Sequence, residues 1–217
     1  MGIPKQLHQI WIGPDQRPDH LIQTWTKRHQ DWPHLVWDES MLDKAIDWSP
    51  GARNVYEQYM QDNRYCGAAN IARIMILHQY GGVYVDADMQ CRHSLEGAWF
   101  MDHTNWISQS PHDSDRFQNA AMGAVQGSAL MSMIAFDLSM VSAQDRPIHP
   151  SWQCTGAVQI KKVYDSLTPK QDLAVVPSPA FHPQQKNGAT NPALWTYTGV
   201  IYADHYFYST HGRKLPA

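Results

Sequence analysis

Apolar residues recur along the chain in two rhythms, and their alternation defines the fold class. Gln6 to Ile12 is a short β-favouring run that Gly13-Pro14 stops. Pro18-Asp19 then opens a helix to about His29, with Leu21, Ile22 and Trp25 at helical spacing. His34 to Trp37 reads as a second strand, and Asn54 to Gln61 as a helix with Val55 and Tyr59 four apart. From Ala68 to Gln79 the helical period is clearest: Ile71, Ile74, Met75 and His78 share a stripe, and Arg73 falls off it. Gly81-Gly82 ends that helix, and Val83-Tyr84-Val85 follows as a buried strand running into Asp86-Ala87-Asp88.

The second half repeats the pattern. Trp106-Ile107, Ala120 to Val125 and Val175-Val176 are strand-like, a helix spans about Ser128 to Val141, and another follows Thr155 as its N-cap. Strands alternating with helices predict an α/β fold, a mixed, mostly parallel sheet with helices on both faces. No repeat, low-complexity tract or linker divides residues 1–217, so a single domain is expected. In such sheets ligands sit at the carboxyl ends of strands, where the Asp pair lies.

Composition narrows the functions. Seventeen Lys plus Arg against twenty Asp plus Glu give a formal charge of −3, with no basic run, which argues against a nucleic-acid binder. Neither the N-terminus nor any later window carries an apolar stretch long enough for a signal or an anchor, so no stable membrane insertion is expected. Cys66, Cys91 and Cys154 are odd in number and far apart, which fits a reduced, cytoplasmic protein. Nine Trp, ten Tyr and twelve His supply an aromatic core, with a few rings to spare for stacking on a sugar or base.

The candidate chemistry centres on Asp86-Ala87-Asp88. In an extended backbone residues i and i+2 project to one side, so both carboxylates can enter one pocket. Two such neighbours resist ionising together unless a cation compensates them, and Mg²⁺ or Mn²⁺ takes one or two carboxylates while leaving room for substrate phosphate oxygens. Out of context such a triplet is a solvated turn; here an apolar strand and a helix bearing Arg73 precede it. The Arg73 guanidinium suits diphosphate oxygens or sugar hydroxyls, unless it is a surface ion pair. Asn70, three residues earlier, offers an amide, and Trp11 ends the first strand, where its ring can stack on a base or lie in the core. His205 is a possible third metal or phosphate ligand. His8, His78, His182 and His211 read as ordinary polar or core residues, and Asp113, Asp115 and Asn119 are mid-chain guesses for a nucleophile.

These residues together resemble glycosyltransferase family 32, whose sugar-binding region contains the Asp-X-Asp motif. Ile3 to Gly13 looks like that family's first strand, and Ala68 to Leu77 followed by Tyr80 to Asp88 looks like its central block. Asn119 to Gly127, Thr155-Gly156, His205 and Ser209 resemble its outer segments. The resemblance implies a single-domain GT-A, Rossmann-like fold and a glycosyltransferase using a nucleotide-diphosphate sugar, UDP-sugar favoured over GDP-sugar, with a glycan or other hydroxyl acceptor. It further implies retention of anomeric configuration and dependence on Mn²⁺ or Mg²⁺. By position, Asp86, Asp88 and Arg73 would be catalytic. Trp11, Asn70, Arg73, Gly82, Asp86, His205 and Ser209 would bind substrate, and Asp88, Asp86 and His205 would hold the metal. The chain departs from the family at Ala69-Asn70, usually Ser-Asp, and at Thr210, usually Trp. Absence of an anchor suits a bacterial or viral enzyme, or a trimmed piece of a longer chain.

Two other readings compete. Phosphatases of the haloacid dehalogenase type also place Asp-X-Asp after an apolar strand, but Gln90 stands where they want Thr or Val. A nucleotide-sugar-binding domain that has lost catalysis is the other, since Asn70 replaces a carboxylate.

Overall fold

The computed structural model describes residues 2–140 and 151–208. Its central sheet has six strands: β1 (Leu7–Ile10), β2 (His34–Trp37), β3 (Gly82–Val85), β5 (Asn105–Gln109), β6 (Phe117–Ala124) and β7 (Ala174–Val176), in the order β2-β1-β3-β6-β5-β7. Strand β1 is parallel to β2 and β3, and β5 is parallel to β7; β6 runs antiparallel between β3 and β5. A separate ribbon pairs β4 (Met89–Cys91) with β8 (Ala203–His205) antiparallel, Met89 opposite His205. The expected mixed, mostly parallel α/β sheet is therefore present.

Side-chain alternation along β3 divides the core. Val83 and Val85 face a layer containing Trp25, Phe100, Phe181 and Tyr202, whereas Tyr84 faces one built from Ile71, Ile74, Met122 and Leu130. The helices are unevenly shared between those faces. Helix α1 (Asp19–Arg28) packs on the first through Leu21, Ile22 and Trp25. On the second lie α2 (Glu39–Ala45), α3 (Pro50–Gln61), α4 (Tyr65–Tyr80), α5 (Ala129–Met140) and α7 (Ala157–Ser166), with the one-turn α6 (Ser151–Cys154) beside α4 and α7. Full burial of Trp25 removes about 150–250 Å² from water, worth about 4–6 kcal/mol before conformational entropy. Its indole N–H also donates to the Met89 carbonyl at 2.8 Å, which anchors the start of the ribbon.

Several boundaries differ from the sequence expectation for identifiable reasons. Helix α3 starts at Pro50, because Ser49 caps it and proline is tolerated in a first turn. Helix α2, which apolar spacing does not reveal, is nucleated by Asp38, whose carboxylate accepts the Met41 N–H at 2.8 Å. Helix α4 is not amphipathic: Gly67, Ala68 and Asn70 to Leu77 are all buried, Arg73 among them. Thr155 is not an N-cap; α7 begins after Gly156, and the Thr155 hydroxyl donates to the Ser151 carbonyl at 3.0 Å. Val141, the expected end of α5, lies outside the described residues.

The turn from α4 into β3 requires glycine twice. Gly81 and Gly82 have φ of 67° and 90°, where L side chains are strained. A Cβ on Gly81 would lie 2.5 Å from the Gln126 nitrogen, and one on Gly82 2.6 Å from Gln6 Cγ. This reversal returns the chain beneath α4, so that β3 delivers its carboxyl end next to Arg73.

Candidate functional site

Strand β3 stops at Val85, and Asp86-Ala87-Asp88 forms a tight turn closed by the Met89 N–H on the Asp86 carbonyl at 3.1 Å. The two carboxylates thus converge through a turn rather than through the alternation of an extended strand. Each uses one oxygen on the protein. Asp86 Oδ1 accepts from the Tyr84 hydroxyl at 2.8 Å and lies 3.1 Å from Arg73 Nη2. Asp88 Oδ2 accepts the Tyr208 N–H at 2.7 Å. The remaining oxygens, Asp86 Oδ2 and Asp88 Oδ1, face His205 Nε2 at 3.7 and 3.2 Å. Pairing of β4 with β8 brings His205 to this point from 117 residues away in sequence, and the Tyr206 N–H on the Asp88 carbonyl fixes the join.

Arg73 is buried under the Tyr84 ring, its guanidinium carbon 4.4 Å from the centroid, and donates to the Asn119 and Ala69 carbonyls. Burial works against its charge and is the largest single influence, but Asp86 together with Tyr84, Cys66 and Asp88 outweighs it and holds Arg73 above its usual range. Burial is also the largest influence on both carboxyls. At Asp86, burial with the repulsion of Asp88 prevails over Arg73 and raises the pKa. At Asp88, His205 and the Tyr208 N–H prevail over burial and lower it.

Among the described residues, Asp86, Asp88 and His205 are the one group of three acidic, histidine or cysteine side chains with ligand atoms mutually within 4.8 Å. Two inward oxygens without a protein donor other than His205, together with an imidazole nitrogen, fit a divalent cation such as Mn²⁺, for which carboxylate and imidazole are both suitable ligands. The cluster opens into a cavity of about 510 Å³, lined by Trp11, Arg64, Tyr65, Arg73, Asp86, Asp88, Trp152 and Tyr208 among others. The Trp11 indole N–H is fixed on the Asp15 carbonyl at 2.9 Å, and its ring lies 5.8 Å from that of Tyr208.

Trp11, Arg73, Asp86, Asp88 and His205 are therefore brought together. Asn70 is near but turned away from the cavity: its carbonyl accepts from the Asn119 amide at 3.0 Å, and its own amide lies 3.4 Å from Thr155 Oγ1. Gly82 is at the opposite end of β3, against Gln6 and His8, and is not brought to the cluster. Ser209 lies outside the described residues, as do Thr210 and His211. Asp113 and Asp115 line a different cavity, and Asn119 serves Arg73 and Asn70.

Sequence reasoning missed Tyr84, Tyr208 and His182. The His182 ring is fully buried and meets His205 Nδ1 to Nδ1 at 3.3 Å; burial holds it well below the ordinary histidine pKa. Tyr84 had a signal in its place two residues before Asp86; His182 had none.

Known proteins resemble this chain in sequence and in fold. Residues 15–113 match the family described as glycosyltransferase sugar-binding region containing DXD motif. Inositol phosphoceramide mannosyltransferase 3 of Schizosaccharomyces pombe is 25% identical over 141 residues, covering 63% of this chain and 37% of the relative. An uncharacterized glycosyltransferase of Acanthamoeba polyphaga mimivirus is 31% identical over 99 residues, covering 43% of this chain and 38% of the relative. The chain thus spans little more than a third of the length of these relatives. Among solved structures, the PaToxG glycosyltransferase superposes with a TM-score of 0.65 at 17% identity, covering 77% of this chain and 71% of that one. The UDP-bound glycosyltransferase domain of the YGT toxin gives 0.50 at 10% identity, covering 64% and 62%. Among the described residues no helix is long and apolar enough to cross a membrane. The fold is GT-A, and the match over residues 15–113, somewhat less than half of the chain, is to the glycosyltransferase sugar-binding region that contains the Asp-X-Asp motif.

Proposed function

We propose that the chain is a metal-dependent glycosyltransferase that moves a sugar from a nucleotide-diphosphate donor to a glycan or other hydroxyl acceptor, with retention of configuration. The observation that carries this is the convergence of Asp86 Oδ2, Asp88 Oδ1 and His205 Nε2 at the edge of a cavity walled by Trp11 and Arg73. Asp86, Asp88 and His205 would hold a Mn²⁺ or Mg²⁺ ion, which when bound would supply charge stabilisation for a departing diphosphate. Trp11 offers a flat face to the base, and Arg73, locked by Asp86 and the Asn119 carbonyl, keeps a fixed positive field at the donor. Retention is what the family resemblance implies. A uridine donor is favoured because the YGT toxin domain is described as UDP-bound; the names of the yeast relatives point to mannose as a sugar to include.

Purified protein incubated with UDP-sugars and GDP-mannose should release nucleotide diphosphate only with Mn²⁺ or Mg²⁺, and the Asp88→Ala variant should lose this with its fold intact. Full activity in that variant refutes the assignment. Tight donor binding by the wild type with no turnover, against water or any acceptor, would identify a binding domain instead, a reading that Asn70 favours because its amide is engaged by Thr155 and Asn119 rather than by the cavity.

A further inference from the structure

The histidine of the candidate metal site does not end its hydrogen bonding on a carbonyl or a carboxylate, the usual partners that fix a ligand imidazole. It ends on a second imidazole, which has no fixed polarity of its own. The polarity is settled further along. Ser108 Oγ lies 2.7 Å from the Gln118 carbonyl, which only accepts, so the serine proton points there. The serine oxygen, 3.2 Å from His182 Nε2, is then left as an acceptor and requires a proton on that nitrogen. His182 is fully buried and among the described residues forms no ion pair with a carboxylate, so it is neutral, with its lone pair on Nδ1. That lone pair, 3.3 Å from His205 Nδ1, demands a proton on His205 Nδ1.

We propose that His182 is a positioning residue for His205: through Ser108 and the Gln118 carbonyl it keeps the His205 proton on Nδ1 and turns Nε2 toward Asp86 and Asp88 as a cation ligand. The proposal rests on the metal-dependent reading above. The backbone of His182 is itself held, its N–H on the Ser178 carbonyl at 2.7 Å and its carbonyl accepting from the Asn191 amide at 2.8 Å. Phe207 covers the pair, its ring centroid 3.9 Å from that of His205 and 5.9 Å from that of His182. The relay spans β5, β6, the segment after β7 and β8, so the sheet orients the ligand.

Two measurements test it. Long-range proton–nitrogen correlation spectra of histidine-labelled protein, with and without Mg²⁺, should show His182 protonated on Nε2 and His205 on Nδ1 in both conditions, with a second proton on His205 Nε2, donated to Asp88, only where no cation is bound. A proton on His182 Nδ1, or a bare His205 Nδ1, overturns the relay whatever the metal does. Calorimetric titration with Mn²⁺ alone should show about 10–100-fold weaker binding in His182→Phe, with most of it recovered in His182→Gln, whose amide can accept and donate in the same two directions. Equal affinity in wild type and folded His182→Phe overturns the positioning role. If the wild type shows the expected protonation but binds no divalent cation, the relay stands and the metal-dependent reading falls.

Discussion

Replacing Arg73 with Met tests whether the electrostatics of the site are as tightly balanced as the geometry indicates. The substitution keeps an unbranched apolar stem under Tyr84 and removes the only cation within bonding distance of Asp86 Oδ1 among the described ion pairs. Removing one partner of a buried pair costs about 3–5 kcal/mol, because the other charge is stranded. Arg73 has 6% side-chain exposure but Asp86 keeps 23%, so partial hydration places the loss at the lower end, about 3 kcal/mol. In a chain of this size that lowers the melting temperature by about 6–12 °C.

The pH dependence of that deficit has a definite sign. The folded-state pKa of Asp86 is already raised, and Arg73 is the strongest influence opposing the rise. Without Arg73 it rises further. A carboxyl with a raised folded pKa destabilises the fold when ionised, so the deficit is full above that pKa and shrinks as pH falls through it. Urea denaturation followed by tryptophan fluorescence at pH 8 and pH 5 should show the larger difference from wild type at pH 8. Adding Asp86→Asn to the variant should recover most of the stability. A deficit below about 1 kcal/mol at pH 8, or one equal at both pH values, refutes this account of the pair.

Two further outcomes follow from packing and burial. Gly67 faces the Tyr59 ring where α4 crosses α3, and an added Cβ would lie 2.5 Å from it; Gly67→Ala should therefore destabilise by about 1–3 kcal/mol in spite of the better helix propensity, and a raised melting temperature would contradict that. Burial lowers His8 and His34 from 6.5 to about 4, so the unfolded chain takes up their protons first and stability falls as pH drops from about 6.5 toward 4. His34→Asn should accordingly lose less stability relative to wild type at pH 5 than at pH 7.5, measured by urea titration; an equal loss would contradict the assignment.

The elements that sequence periodicity reveals are those whose apolar residues meet one partner face. Helix α1 and strand β2 are of this kind, and their observed bounds agree with the reading. Helix α4 shows the limit: its apolar stripe is visible, but burial on all sides is not, so Arg73 off the stripe reads as outward although it is enclosed by Tyr84, Asp86 and the Asn119 carbonyl. Helix α2 is set by a cap rather than by an apolar face, and Thr155 has the right residue type for a cap but bonds its own turn.

At the site, Asp86 and Asp88 are legible because apolar strand, turn and acidic pair are contiguous. His205 is a possible ligand by residue type, but only the family resemblance singles it out among the histidines, since its approach depends on the β4–β8 pairing of distant segments. Gly82 stands within the same contiguous block, yet its role is conformational, at the far end of the strand. His182 and Ser108 are silent in sequence: nothing local distinguishes them from the other buried polar residues, and only the fold brings them into line behind His205.

Crystals soaked with Mn²⁺ and UDP, with diffraction recorded at the manganese absorption edge, test the central claim most directly. The account predicts an anomalous peak bonded to Asp86 Oδ2, Asp88 Oδ1 and His205 Nε2, with diphosphate oxygens completing its coordination and the uracil ring against Trp11. A well-bound nucleotide with no peak between those three side chains, or a manganese ion held elsewhere, would contradict it.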